Sequence, residues 1–213
     1  MAQPAEHRYY TPEEYFAIEE HAEYRNEYID GEIFAMSGGT ANHNRIAGDL
    51  FSVLNSALAP KGCEAFINDL RVQLQESRRY TYPDIVIVCG TLEFVKKRKD
   101  TITNPIVIIE VLSDSTKDYD RGSKFTAYRN IESLREYVLI EQNRVHIESF
   151  AKENDGTWRL REYDALTGDL PLIALDTVIP IKDIYRRVEF PTEEPQLMRV
   201  KETGAEDYGH DNQ

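Results

Sequence analysis

No stretch of this chain approaches the roughly 20 consecutive apolar residues that a membrane-spanning helix requires, so no transmembrane segment is expected. The opening residues Met1-Ala2-Gln3-Pro4-Ala5-Glu6 lack a basic region followed by an apolar stretch, and no secretory signal is expected there. Cysteine is scarce. Cys63 and Cys89 are the two present, and neither belongs to a CxxC pair. Two cysteines so far apart do not argue for a disulfide scaffold, and a reducing cytoplasm is the expected compartment. The five histidines, His7, His21, His43, His146 and His210, are scattered, with none at zinc-ligand spacing from a cysteine. GxxxxGK[ST], GxGxxG, HExxH and GxSxG are all absent, which removes the common phosphate-loop, dinucleotide, zinc-protease and serine-hydrolase readings.

Positive charge is also in deficit. The 213 residues carry a net charge of −13, which argues against a protein that coats nucleic acid without specificity. The balance is uneven. Residues 1–32 hold nine acids against two bases, residues 192–213 hold six against two, and residues 78–99 reverse the sign with six bases against two acids. That basic stretch contains Arg78, Arg79 and the run Lys96-Lys97-Arg98-Lys99. These six side chains are candidates for phosphate contact, with a solvated loop tip as the plainer alternative.

Hydrophobic residues make up 41% of the chain, enough for a core, and the length suits one domain with a tail. Residues 1–10 read as a flexible arm, 11–190 as the domain, and 191–213, acidic and poor in apolar side chains, as disordered. Thr11-Pro12-Glu13-Glu14 is a helix start, with Thr as N-cap, Pro at the first helical position and Glu at the third. Asp30-Gly31 between two alternating segments predicts a hairpin, with Glu27 on its first strand. Ile46, Leu50, Val53, Leu54, Ala57 and Leu58 form a helical stripe closed by Pro60 and Gly62, and His43 lies in the first turn of that helix. Strands are expected near 64–68, 70–75, 82–88 and 106–112, a polar connection over 90–104, a helix over about 119–131, and strands over 136–141, 145–150 and 158–163. The last two strands are expected to extend the sheet as an antiparallel meander, with a short helix near 183–187 to close the domain. No internal repeat is visible.

Two carboxylates stand apart. Asp84 opens the apolar run Ile85-Val86-Ile87-Val88, and Glu110 interrupts Ile106-Val107-Ile108-Ile109-Glu110-Val111-Leu112. Both runs are rich in Val and Ile, as in strands covered on both faces. A lone ionised carboxylate there is costly and needs a cation, a proton or strong donors. On neighbouring strands the two would make a hard-cation site. Two strand-end carboxylates held by backbone amides or an arginine are the other reading.

The ordered set Glu27-Tyr28-Ile29-Asp30-Gly31-Glu32, His43 at a helix start, Tyr82-Pro83-Asp84-Ile85, Ile109-Glu110-Val111-Leu112-Ser113, Asp120, Lys124, Tyr128 and Glu136-Tyr137 resembles the Uma2 family (domain of unknown function 820), within the PD-(D/E)xK nuclease superfamily. The resemblance spans about residues 10–187. It implies an α/β, restriction-endonuclease-like fold, a mixed β-sheet flanked by helices, with the acidic pair at adjacent strand ends. It implies a metal-dependent endonuclease that hydrolyses phosphodiester bonds, with Mg²⁺ or Mn²⁺ bound by Asp84, Glu110 and the Val111 carbonyl. The lysine usual two residues after the second acid is here Leu112, and the resemblance transfers its role to Lys124. Glu27 matches the extra N-terminal acid of such sites, and His43 is a possible accessory residue. DNA is the expected partner, a homodimer is plausible on general grounds, and no membrane partner is implied. A non-catalytic binding or assembly protein that keeps the fold is the alternative, and a hydrolase of another phosphate compound is a third reading.

Overall fold

The computed structural model describes residues 8–36, 38–74 and 78–191. Most of the expected N-terminal arm, and the tail beyond Pro191, lie outside the described residues. Of the arm, Tyr10 is tied to the domain: its N–H donates to the Gly31 carbonyl and its own carbonyl accepts from the Tyr28 hydroxyl.

The chain begins with helix α1 (Pro12–Glu19), opened by the anticipated capping box between Thr11 and Glu14. Strands β1 (Asn26–Ile29) and β2 (Glu32–Ala35) form the hairpin. Asp30 and Gly31 both take positive φ, 51° and 102°, as the two-residue turn demands. Helix α2 (Ala41–Leu58) follows from its N-cap Thr40, and Gly62 in the left-handed region ends the 3₁₀ turn after it. Then come β3 (Cys63–Ile67), β4 (Arg71–Leu74), β5 (Arg79–Thr81), β6 (Ile85–Cys89), β7 (Thr101–Ile102) and β8 (Val107–Leu112).

After β8 the expected single helix is broken. Helix α3 (Lys117–Tyr119) runs into a π-helical turn (Asp120–Lys124) and then helix α4 (Phe125–Tyr128). A π turn changes the angular spacing of side chains and is found preferentially at functional sites. Here it lets buried Asp120 and Lys124 turn inward just ahead of the apolar Phe125, Ala127 and Tyr128. Strands β9 (Glu136–Glu141), β10 (Ile147–Lys152) and β11 (Trp158–Tyr163) form the predicted meander. An unforeseen hairpin of β12 (Asp169–Leu172) and β13 (Thr177–Pro180) and the short helix α5 (Ile181–Ile184) complete the described chain. None of its helices is long and apolar enough to cross a membrane.

The strands form a six-stranded mixed sheet, β11-β10-β9-β8-β6-β3, and a five-stranded sheet, β2-β1-β5-β4-β7. In the larger sheet β8 runs parallel to β9 and antiparallel to β6. Alternation along its central strands divides the core in two. Ile85, Ile87, Val107 and Ile109 face the stripe Ile46, Leu50, Leu54 and Leu58 of α2. Val86, Val88, Ile108 and Leu112 face α4 and the smaller sheet, against Phe125, Tyr128, Val72 and Leu74. Glu110 shares the parity of Ile108 and Leu112, so its carboxylate enters the space between the two sheets.

The cysteine expectation is corrected. Cys63 and Cys89 form a disulfide. They are 26 residues apart in sequence, but β3 and β6 are antiparallel neighbours whose register sets these two residues directly opposite each other. Sequence distance is a poor guide once a chain doubles back through adjacent strands.

Candidate active site

The register between β6 and β8 pairs Ile85 with Ile109, which brings Asp84, just before β6, level with Glu110 near the end of β8. The backbone locks the pair. The Val111 N–H donates to Asp84 Oδ2 at 2.7 Å, and the Asp84 N–H points at Glu110 Oε2 at 3.4 Å. The two isolated acids thus lie on neighbouring strands, at adjoining ends. Both line a cleft of about 1100 Å³, together with Glu27, His43, Val111, Asp120 and Lys124.

Lys124 is buried and reaches three carboxylates from the π turn. Its Nζ lies 2.9 Å from Glu110 Oε1, 3.2 Å from Glu27 Oε1 and 3.4 Å from Asp120 Oδ1. Burial alone would drive its proton off, but Glu110, Glu27 and Asp120 reverse that and hold its pKa well above the ordinary lysine value. Lys124 is therefore a fixed cation. Glu27 arrives from the other sheet, on β1, and is itself buried.

Glu110 is pushed the other way. Burial raises its carboxyl well above the ordinary range, with Asp84 and Asp120 adding repulsion, while the Lys124 charge opposes. Its Oε1 also accepts from the buried Tyr128 hydroxyl at 2.8 Å, and that hydroxyl lies 2.9 Å from Thr81 Oγ1. Burial keeps the Tyr128 phenol protonated, so it serves as a permanent donor.

His43 stands over Asp84, with Nε2 3.2 Å from Oδ2. Burial lowers its pKa, but the hydrogen bond and charge of Asp84, helped by Asp120 and the Val111 backbone, outweigh that and raise it. Thr40 sets its position, accepting from the His43 N–H at 3.1 Å and hydrogen-bonding to the Gln142 side-chain oxygen. Gln142 in turn donates to the Leu112 carbonyl at 2.7 Å, tying the start of α2 to the end of β8.

Glu27, Asp84, Glu110 and Asp120 set four carboxylates against one ammonium. Carboxylate oxygens are the donors a hard divalent cation takes, and Glu27 Oε1 is a buried oxygen with no hydrogen bond. It is Lys124 that draws Glu27, Glu110 and Asp120 together, and no three of the four carboxylates bring ligand atoms within 4.8 Å of one another. Elsewhere, His146, Glu148 and Glu162 bring three possible ligand atoms within 4.8 Å of one another. Glu148 there already accepts from Arg121, which also binds Glu141 and so pins the π turn to β9 and β10.

The basic candidates lie apart from this cluster. Arg78 and Arg79 both pair with Asp30 at the hairpin turn, at 3.0 and 2.9 Å. Arg98 is held by Asp100 and Glu20 and packs over the Phe16 ring at 4.4 Å. Lys96, Lys97 and Lys99 are exposed. Asp120, Tyr128, Thr40 and Gln142 had no role assigned from sequence. Asp120 and Thr40 carry local signals, Asp120 by its spacing of four from Lys124 and Thr40 as an N-cap three residues before His43. Tyr128 and Gln142 act through partners 18 and 30 positions away, which local pattern does not reveal.

The family model Uma2, described as putative restriction endonuclease, matches residues 12–180. Two uncharacterized proteins of Synechocystis sp. are similar over most of their length. Slr1290 is 36% identical over 180 residues, covering 84% of this chain and 93% of that one. Sll1609 is 38% identical over 152 residues, covering 71% and 86%. Among solved structures, a putative nuclease of DUF820 from Anabaena variabilis superimposes with a TM-score of 0.68 at 20% identity, covering 83% of this chain and 97% of that one. The fold is therefore shared with that protein.

Proposed function

This chain belongs to the Uma2 family, and from that premise we propose that it is a metal-dependent endonuclease that hydrolyses phosphodiester bonds in DNA. The observation that carries the reading is the meeting of Asp84 and Glu110 at adjoining strand ends, with the Lys124 ammonium 2.9 Å from Glu110. Asp84, Glu110 and the Val111 carbonyl would hold Mg²⁺ or Mn²⁺, which supplies Lewis acidity toward the phosphate and lowers the pKa of a bound water.

The chain's own groups do the rest. Tyr128 and the Asp84 N–H fix the two oxygens of Glu110. The Val111 N–H and His43 orient Asp84. Lys124 stays charged and sets a positive centre against charge that develops on the scissile phosphate. His43 Nε2 is placed to hold a proton at the edge of the site.

A plasmid-nicking assay tests the proposal. Wild type is expected to convert supercoiled plasmid to nicked product with Mn²⁺ or Mg²⁺ and to stop on chelation, and Asp84→Asn is expected to leave the plasmid intact under all conditions. Wild type that fails to nick with either metal ends the reading. The basic loop is tested by binding. Replacing Lys96, Lys97 and Lys99 together with Glu should weaken binding evenly across sequences and flatten the log–log salt slope by about 0.7–0.9 per lost phosphate contact. An unchanged slope would leave the loop as solvated surface. Arg98 is a stability residue in this picture, because its charge is committed to Asp100 and Glu20.

A further inference from the structure

The cleft walls beyond the carboxylate cluster point to a narrower substrate class. In the β1–β2 hairpin Glu27 is the direct cross-strand partner of Phe34. Opposed residues project from the same face of a sheet, so Phe34 stands beside Glu27, whose carboxylate meets Lys124 at 3.2 Å, and all three line the same cleft. Met36, two positions on, also lines the cleft, as does Tyr24 just before β1. Phe34 and Tyr24 are 45% and 68% exposed, which leaves two large rings open to solvent at one rim. Single exposed apolar residues are ordinary. Two aromatic rings with a methionine on the wall of this cleft, beside the carboxylate cluster, form a surface that a flat apolar partner would cover.

The charges on the same walls offer no free cationic track along which a duplex backbone could lie, so stacking on the rings must carry most of the nucleotide contact outside the reaction centre. The lining holds Glu23, Glu27, Asp69, Asp84, Glu110 and Asp120 against two cations, Arg25 and Lys124. Arg25 is paired with Asp69 at 3.2 Å, and Lys124 is surrounded by three carboxylates. A duplex presents its phosphates outward and is held by rows of unpaired lysine and arginine. This cleft has no such row among the described residues. Bases released from a duplex are flat, apolar on both faces and suited to stacking on aromatic rings.

Resting on the nuclease reading above, we propose that the cleft takes unpaired nucleotides, single-stranded or extruded from a duplex, with bases stacked on Phe34 and Tyr24 while the adjoining phosphate enters the Asp84–Glu110–Lys124 centre. Phe34 and Tyr24 are thus specificity residues of the same site. They lie outside its metal-binding and charge-handling groups.

The test is equilibrium binding of the full chain, with Ca²⁺ in place of Mg²⁺, to a single-stranded oligodeoxynucleotide carrying 2-aminopurine and to its duplex. The expected result is single-strand binding at least tenfold tighter, with quenching of the 2-aminopurine as it stacks. Phe34→Ala and Tyr24→Ala should each weaken single-strand binding by about five- to a hundredfold, the range for loss of one base–aromatic contact. Phe34→Tyr and Tyr24→Phe should bind as wild type does. Both side chains are exposed, so the melting temperature should not move and a loss of fold cannot imitate the effect. Duplex binding as tight as single-strand binding, with the alanine variants unaltered, overturns this inference and leaves the nuclease reading standing. No binding to either form overturns both.

Discussion

Lys124→Ala is expected to slow DNA cleavage by about 10²–10³ at saturating metal, the usual loss when one preorganised charge is removed from a reacting centre. Leu112, at the position where relatives of the superfamily carry a lysine, cannot stand in. It shares the face of Glu110, but it is fully buried within the apolar core layer between the sheets. An ammonium placed there would be desolvated in an apolar layer, so Leu112→Lys should destabilise the protein and fail to rescue Lys124→Ala. The π turn supplies the charge from the other side, through Lys124. The same geometry predicts a stability effect. Removing Lys124 strands Glu27, Glu110 and Asp120 around an uncompensated buried charge, which typically costs about 3–5 kcal/mol. Metal-free Lys124→Ala should therefore melt well below wild type, and a divalent ion should recover part of the difference. Undiminished cleavage by folded Lys124→Ala would remove this residue from the mechanism.

Glu110→Gln is expected to abolish divalent-metal binding in calorimetry and, in the metal-free protein, to raise stability at neutral pH. Burial, with Asp84 and Asp120 behind it, favours the protonated carboxyl of Glu110 against the pull of Lys124. A carboxyl whose folded pKa is raised contributes most below its ordinary value of 4.5, and that contribution is lost as pH rises through the folded value. Wild type in chelator should accordingly lose melting temperature as pH climbs from the acid range through neutrality. Glu110→Gln should show a flatter profile. Added Mg²⁺ or Mn²⁺ should lift wild type by about 2.7 kcal/mol at a concentration of 100 Kd and leave the variant unmoved. Equal metal binding by the two proteins would eliminate the shared Asp84–Glu110 site.

Much of the local architecture is legible without coordinates, because its causes lie within a few residues. The Thr11–Glu14 capping box, the positive-φ turn at Asp30-Gly31 and the α2 stripe from Ile46 to Leu58 are each set by neighbours in sequence. The Val- and Ile-rich runs around Asp84 and Glu110 likewise mark buried strands, and the Uma2 resemblance identifies the fold that holds them.

Where the signal is weak or distant, sequence falls short. Strand β5 is the short, charged Arg79-Tyr80-Thr81, and it becomes a strand because β1 and β4 flank it. Nothing between Tyr163 and Asp183 announces the β12–β13 hairpin. The split of the expected helix at Asp120–Lys124 reflects the demand that two ionic side chains turn inward beside an apolar face. The disulfide depends on the register of β3 against β6.

By itself, then, the amino-acid order determines the capped helices, the turn, the buried strands and the identity of the isolated acids, since propensity, capping and periodicity act over short range. Only the tertiary structure decides that Asp84 and Glu110 meet, that Lys124 reaches them across the gap left by Leu112, that Tyr128 and Gln142 secure the arrangement, and that Phe34 stands beside Glu27 at the mouth of the cleft. Those contacts follow from strand register and from the way the two sheets close on each other, and a one-residue slip in either would turn each of these side chains to the opposite face.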